Sequence, residues 1–200
     1  MILTEIGTIP ADTIPIRAFG EHLRLGTGFE DDGSQDSAME LYLRSAMAAI
    51  EARLGYALLS RQFSWTLTRW QQETSQGMPI GPISSIDEVV LVSVDESEVV
   101  VDPSQWHLLR DDRRPRLVGR DGGTLPAIPH LGHTEIRFTA GHGSTWDSVP
   151  HDLRQAVFML AAYYFEARSE GANGHEAMPF GVLMLLESYR TMRLGGLRDR

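Results

Sequence analysis

The residues of this sequence best suited to chemistry are its histidines, because imidazole is a preferred ligand of zinc. Four of the seven fall between residues 130 and 151: His130, His133, His142 and His151. The first pair lies in a stretch rich in Pro and Gly rather than on one helix face. Their spacing matches no zinc site, so we predict turn or surface positions and no bound metal. A metal-dependent hydrolase is kept as an alternative function.

Three other segments resemble known binding or catalytic loops, and each lacks a required residue. Gly141-His-Gly-Ser144 has neither the Lys of a phosphate loop nor the Gly-x-Ser-x-Gly order of hydrolases. Gly26-Thr-Gly28 is not followed by a third glycine. The acidic run Glu30–Asp32, with Asp36, lacks the ligand spacing of a calcium loop. We therefore predict no catalytic residue, no cofactor and no enzymatic activity.

Composition limits the class of protein further. The chain has 200 residues, 42% of them hydrophobic, which suits one compact core, and it has no cysteine for disulfides or thiolate metal sites. No apolar run is long enough to span a membrane, and Met1 to Pro10 lacks the pattern of a secretion signal. We expect synthesis in the bacterial cytoplasm.

The formal net charge is −9, and all 18 basic residues are arginine. A free-standing DNA-binding protein usually presents a net basic surface that releases counterions from phosphate. A DNA-binding regulator is therefore a disfavoured alternative, whereas a channel through which DNA slides is compatible with this charge.

The helices follow from apolar periodicity. A first helix is predicted from an N-cap at Thr13. A second, from Ser37 to Leu54, ends at Gly55, which would adopt a left-handed cap. A third begins after Ser148, and a fourth begins at Pro179. The apolar face of the second helix comprises Met39, Leu43, Met47, Ile50 and Leu54.

The middle of the chain carries the signals of strands. Apolar and polar residues alternate from Arg61 to Trp70, and short β-branched or aromatic runs follow up to Ala140. Trp65 and Trp106 are predicted to be buried there. The segment from Asp111 to Gly132 has four Gly and three Pro and is predicted to be a long exposed loop. Its arginine cluster consists of Arg110, Arg113, Arg114, Arg116 and Arg120.

These elements predict an α+β fold that is mainly a helical bundle, formed by the N- and C-terminal helices, with an inserted antiparallel β-sheet region. The predicted organisation is a single domain over residues 1–200. It has helices one and two in 10–56, a β-rich insertion in 61–143, helices three and four in 149–194, and a tail in 195–200.

The sequence resembles the head–tail connector, or adaptor, proteins of tailed phages and gene transfer agents. The resemblance covers most of the chain and depends on the order of several short segments, none of which is a catalytic signature. They are Glu51-Ala-Arg-Leu-Gly-Tyr-Ala-Leu58, Gly81-Pro-Ile-Ser-Ser-Ile86, Asp102-Pro-Ser-Gln-Trp106, Phe138-Thr-Ala-Gly-His-Gly143, Val149-Pro-His-Asp-Leu-Arg-Gln-Ala156, Ser188-Tyr-Arg190 and Arg193-Leu194.

The resemblance implies a structural ring, commonly of twelve copies, beneath the portal at the head–tail junction of a virion or phage-like particle. Such a ring binds the portal and a stopper or tail-completion protein, and DNA passes through it without sequence-specific binding. For the arginine cluster two interpretations stay open: contact with a neighbouring subunit, DNA or the stopper, or a solvated hairpin loop without a partner. The C-terminal segment would contact the portal through Tyr189, Arg190, Arg193, Leu194, Leu197, Arg198 and Arg200.

Overall fold

The computed structural model of the protein describes residues 1–23, 35–167 and 178–190. The chain divides into two compact units. One comprises Met1–Ile14 and Gly55–Val149 and holds all the strands described; we call it the sheet unit. The other comprises Pro15–Leu54 and Pro150–Arg200 and holds the described α-helices; we call it the helical unit.

Two antiparallel sheets form the sheet unit. The larger has five strands in the order β1-β2-β8-β4-β5, and the smaller has three in the order β3-β7-β6. The strands are β1 (Ile2–Glu5), β2 (Arg61–Leu67), β3 (Ser75–Gly77), β4 (Ile83–Val92), β5 (Glu98–Val100), β6 (Trp106–Leu109), β7 (Arg116–Gly119) and β8 (His133–Ala140).

The alternation predicted for β2 places its apolar side chains on one face of the five-stranded sheet. Phe63 lies opposite Phe138, and Trp65 lies opposite Ile136, so residues more than seventy positions apart share one core. Trp65 is buried, as predicted, whereas Trp106 is only partly buried against the same core.

Four α-helices are described in the helical unit: α1 (Ile16–His22), α2 (Asp36–Leu54), α3 (His151–Ala167) and α4 (Phe180–Leu186). The five apolar residues predicted to form one face of α2 are all buried. Gly55 follows α2 with a φ of +70°, which confirms the predicted left-handed cap. Within this unit, α2 packs against α1 and α3, and α3 packs against α4.

The prediction of a mainly helical bundle is wrong. Of the residues that the structure describes, 38% are helical and 27% lie in strands, and these strands number eight in two antiparallel sheets. The sheet was underestimated because several of its strands are too short to show a clear alternation. β1, β3 and β7 have only four, three and four residues, so long-range pairing rather than local sequence determines them.

Two local predictions also need correction. The first helix begins at Ile16, with Pro15 rather than Thr13 at its N-cap, because Thr13 belongs to a preceding short 3-10 turn. The segment from Asp111 to Gly132 is not one exposed loop. It contains β7, and its Leu117 and Leu125 are buried in the core of the sheet unit.

Candidate functional site

Several segments that carry the family resemblance come together in the sheet unit. The Ala57 N–H donates to the Gly81 carbonyl at 2.9 Å, and the Gly81 N–H donates to the Gly55 carbonyl at 3.0 Å. The Gly141 N–H donates to the Pro82 carbonyl at 2.9 Å. Residues far apart in the sequence thus form one hydrogen-bonded junction, which we call the motif junction (Gly55–Ser60, Gly81–Pro82 and Gly141–Gly143).

Glycine is required at two positions of the motif junction. Gly141 has a φ of +131°, and a Cβ atom there would lie 2.4 Å from the backbone nitrogen of Ser60. At Gly81, a Cβ atom would lie 2.9 Å from the carbonyl oxygen of Asp112. Both positions therefore need glycine so that the backbones can approach closely. At Gly81 the approaching backbone is that of Asp112, in the turn that carries the arginines.

The five arginines of the predicted cluster are all exposed, and we call them the arginine surface (Arg110, Arg113, Arg114, Arg116 and Arg120). They are positioned by the β6–β7 hairpin and by the short 3-10 turn after β7. The structure thus places the predicted cluster on one continuous segment of the sheet unit, with its side chains accessible.

A side-chain cap shapes the turn that carries this surface. Asp111 Oδ1 accepts hydrogen bonds from the backbone N–H groups of Arg113 at 2.8 Å and Arg114 at 2.9 Å. These two N–H groups hold the pKa of Asp111 below its usual value. The carbonyl of the buried Pro115 accepts from the Met78 N–H at 2.9 Å. The turn is therefore anchored rather than merely solvated.

Tyr56 connects the motif junction to the arginine surface. Its ring stacks on the ring of His142, with centroids 6.0 Å apart. Burial raises the pKa of the Tyr56 hydroxyl, and the guanidinium of Arg113 partly opposes that rise. An interaction between Tyr56 and Arg113 therefore links a residue of the family motif to one of the five arginines.

Four arginines of the arginine surface form no salt bridge with a described residue. Arg110 donates to the Ser84 carbonyl at 3.1 Å, and Arg116 donates to Ser75 Oγ at 3.0 Å. Both acceptors are neutral. Across the described ranges, no carboxylate forms a salt bridge with Arg110, Arg113, Arg116 or Arg120. A guanidinium group that has no salt bridge to a described carboxylate is suited to bind a carboxylate or a phosphate of a partner.

A groove of about 510 Å³ lies beside two of these arginines. Arg110 and Arg120 supply its charge, while Ile86, Trp106 and Leu109 are among its apolar lining residues. No sequence pattern indicated this groove, because β4 and β6 reach it from separate positions in the chain.

The C-terminal segment predicted to bind the portal is described only at its beginning. The Tyr189 hydroxyl donates to Asp152 Oδ1 at 2.6 Å, which joins the end of the chain's described part to the start of α3. Arg190 pairs with Glu187 at 3.1 Å. The remaining residues predicted for this contact lie outside the described residues: Arg193, Leu194, Leu197, Arg198 and Arg200.

The four histidines occupy separate local environments. His133 Nε2 lies 4.0 Å from Glu135 Oε1, and His151 Nδ1 lies 2.7 Å from an Arg154 guanidinium nitrogen. His142 stacks on Tyr56, and His130 is exposed. Among the residues that the structure describes, no three His, Asp or Glu side chains converge as metal ligands would. In the same residues, no helix is both long and apolar enough to cross a membrane.

Comparison with protein-family models and with curated proteins finds no match. Solved structures of gene transfer agent (GTA) particles do match. A chain in the neck of an empty GTA particle, computed with C6 symmetry, is 47% identical with a TM-score of 0.88; 98% of this chain and 99% of that chain are covered.

Two further structures cover the same shares of both chains. A chain from the virion of a native GTA particle is 47% identical with a TM-score of 0.86. A chain from the neck of a native GTA particle, computed with C12 symmetry, is 42% identical with a TM-score of 0.84.

The chain belongs to the family of phage and GTA head–tail neck proteins. The predicted resemblance is thereby confirmed, as is the predicted place of the protein at the head–tail junction of a particle. This neck protein is a structural component of such particles.

Proposed function

We propose that this neck protein is the head–tail adaptor, a ring that binds beneath the portal and gives the stopper or tail a surface on which to dock. The observation that carries this proposal is the near full-length similarity, at 47% identity, to a chain in a GTA particle neck. The role is structural, and no catalytic step is assigned to the protein.

The proposed ring has twelve copies. The necks of the two related particles were computed with C6 and C12 symmetry. A twelvefold ring satisfies both, because a twelvefold axis contains a sixfold axis. A ring closes when each subunit uses two different, complementary surfaces and the rotation per subunit divides the circle. The exposed charged surfaces of the sheet unit are suited to such contacts.

DNA passes through the centre of the proposed ring without being read. The formal net charge of −9 favours this, since acidic walls repel phosphate and keep DNA from adhering. In this proposal the five arginines of the arginine surface are contact residues toward a neighbouring subunit, the stopper or the DNA backbone.

The C-terminal segment is proposed to bind the portal through Tyr189, Arg190, Arg193, Leu194, Leu197, Arg198 and Arg200. Removal of residues 195–200 should abolish co-purification with the portal and leave the thermal unfolding midpoint unchanged. Arg17→Ala is a suitable control, because that side chain is 85% exposed on α1 and distant in sequence from this segment. Portal binding by the truncated protein at the level of the intact protein would refute this contact.

Reconstitution tests the adaptor function as a whole. Heads purified from cells lacking this gene are mixed with tails, with and without the purified protein, and joined particles are counted by electron microscopy. The proposal predicts that joining depends on the added protein. Equal joining in its absence would refute the proposal.

A further inference from the structure

The β4–β5 hairpin presents exposed apolar and acidic side chains together. Val94, Val99 and Val100 are 65%, 59% and 59% exposed. Asp95, Glu96 and Glu98 are also exposed, and within the described residues none of the three acids forms a salt bridge. We call this segment (Val94–Val100) the valine–acid hairpin.

This hairpin is ordered by its own hydrogen bonds. The Ser93 N–H donates to the Ser97 carbonyl at 2.9 Å, and Asp95 Oδ1 accepts from the Ser97 hydroxyl at 2.7 Å. Among the described strands, β5 lies at the edge of the sheet and pairs with β4 alone. Exposed valines on an ordered edge strand favour association with another chain, because burial of each would stabilise a complex.

The groove beside the arginine surface has the complementary properties. Arg110 and Arg120 supply positive charge, and neither forms a salt bridge with a described residue. Ile86 and Trp106 supply partly buried apolar surface, and Leu109 is 47% exposed. The hairpin thus offers valines and carboxylates where the groove offers apolar side chains and guanidinium groups.

The tip of the hairpin lies far from the groove of its own chain, and Val99 and Val100 are held on β5 by their pairing with Leu91 and Val90. Arg110 donates to the Ser84 carbonyl, which places the groove at the beginning of β4. Val94 follows the other end of that strand, ten residues later. At about 3.3 Å per residue the two are separated by roughly 30 Å. The occupant that matches the groove in charge and apolar character is therefore the hairpin of a second copy.

We propose that the valine–acid hairpin of each subunit enters the groove of its neighbour in the ring. This inference rests on the proposed ring, and it identifies the neighbouring subunit as the partner of Arg110 and Arg120. Hairpin and groove are two different surfaces of one unit, as head-to-tail closure requires. The valines pack against Ile86, Trp106 and Leu109, and the acids pair with the two arginines.

Charge reversal tests this contact. One variant, E96R/E98R, has a positive hairpin and an unchanged groove. The other, R110E/R120E, has a negative groove and an unchanged hairpin. Each variant alone sets like charges against each other at the reversed positions, so tailed particles should fall by about tenfold or more when it replaces the native protein. The matched control is R17E/E21R, which swaps the two charges of an ion pair on α1. This variant should assemble normally.

Co-expression of the two reversed variants gives the decisive result. In a ring with an even number of subunits the variants can alternate, and every hairpin then meets a groove of opposite charge. The inference predicts that the mixture restores tailed particles although neither variant does so alone. Normal particles from either variant alone, or no recovery in the mixture, would overturn it.

Crosslinking provides a second measurement that does not depend on charge reversal. The native chain has no cysteine, so V99C/L109C carries one thiol on the hairpin and one in the groove. A short bis-maleimide reagent added to particles should join successive copies into a ladder of multimers. The single variants V99C and L109C should show no such ladder. Monomers alone from the double variant would overturn the inference.

These experiments separate the contact from the function it rests on. If the mixture and the double-cysteine variant both fail while the native protein still restores tails to gene-deleted particles, the contact is wrong and the adaptor role stands. If tails join heads without any copy of this protein, the adaptor role itself is wrong.

Discussion

The two units of the neck protein are stabilised in different ways. In the sheet unit, stacked rings such as Phe63 and Phe138, 5.6 Å apart, join residues that are distant in sequence. In the helical unit, the core comes from residues three or four positions apart on α2 and α3, such as Leu153, Val157 and Leu160. The sheet unit therefore depends on long-range pairing, and the helical unit depends on apolar helix faces.

The same division separates the surfaces assigned to assembly. The motif junction, the arginine surface, the groove and the valine–acid hairpin all belong to the sheet unit. Tyr189 and Arg190, where the proposed portal contact begins, belong to the helical unit. In the proposed ring, the sheet unit carries the surfaces proposed for contacts between subunits, and the helical unit carries the segment proposed to bind the portal.

The largest expected effect is in the core of the sheet unit. Phe138→Ala removes a fully buried ring stacked on Phe63 and should lower the free energy of unfolding by about 3–5 kcal/mol. Urea unfolding measures this loss of free energy, and Gln62→Ala, on the exposed side of β2, is the control. A loss below about 1 kcal/mol would show that this ring pair does not hold the sheet together.

A slightly smaller loss is expected in the helical unit. Leu160→Ala truncates a buried side chain of α3 and should cost about 2–5 kcal/mol. Hydrogen exchange should show the loss of protection concentrated in α2 and α3. Gln155→Ala, exposed on the same helix, should leave exchange unchanged. Equal loss of protection in β2 and β8 would contradict the distinction between the two units.

The hydrogen bond between Tyr189 and Asp152 should contribute less. Tyr189→Phe removes the hydroxyl that donates to Asp152 Oδ1 at 2.6 Å, and both residues are partly exposed. We expect a loss of about 1 kcal/mol, measured by thermal unfolding, because water can replace part of the bond. An unchanged midpoint would mean that this bond does not fix the end of the helical unit.

The smallest effect is expected on the polar face of the five-stranded sheet. Arg137 pairs with Glu88 at 2.8 Å and with Glu135 at 3.5 Å, but its side chain is 45% exposed. Arg137→Ala should cost about 0.2–1 kcal/mol. The loss should diminish as ionic strength rises from about 0.1 to 1 M. A larger loss that is independent of salt would indicate a structural role for this arginine beyond charge pairing.

Local patterns were sufficient to predict much of the helical unit. The faces of α2 and α3 recur at helical spacing, and Gly55 has a left-handed conformation that a residue with a side chain rarely adopts. These features depend on residues within a few positions of one another, so the sequence displays them directly. The five arginines of the arginine surface are exposed, but the segment that carries four of them was wrongly predicted to be one exposed loop.

Long-range features were not predictable from the sequence. β7 is set by its pairing with β3 and β6, and its four residues include only one that is buried with a large apolar side chain, Leu117. The groove needs Ile86 and Arg120 brought together from different elements. The exposure of Val99 and Val100 was not predicted either, because the effect of a residue in a strand depends on whether that strand is at the edge or in the centre of the sheet.

The most direct test of the adaptor role is electron microscopy of particles produced with this gene deleted. If the protein is the adaptor, DNA-filled heads should accumulate beside unattached tails, and the native gene supplied in trans should restore joined particles. Normal tailed particles in the absence of the gene would contradict the proposal that this neck protein connects head and tail.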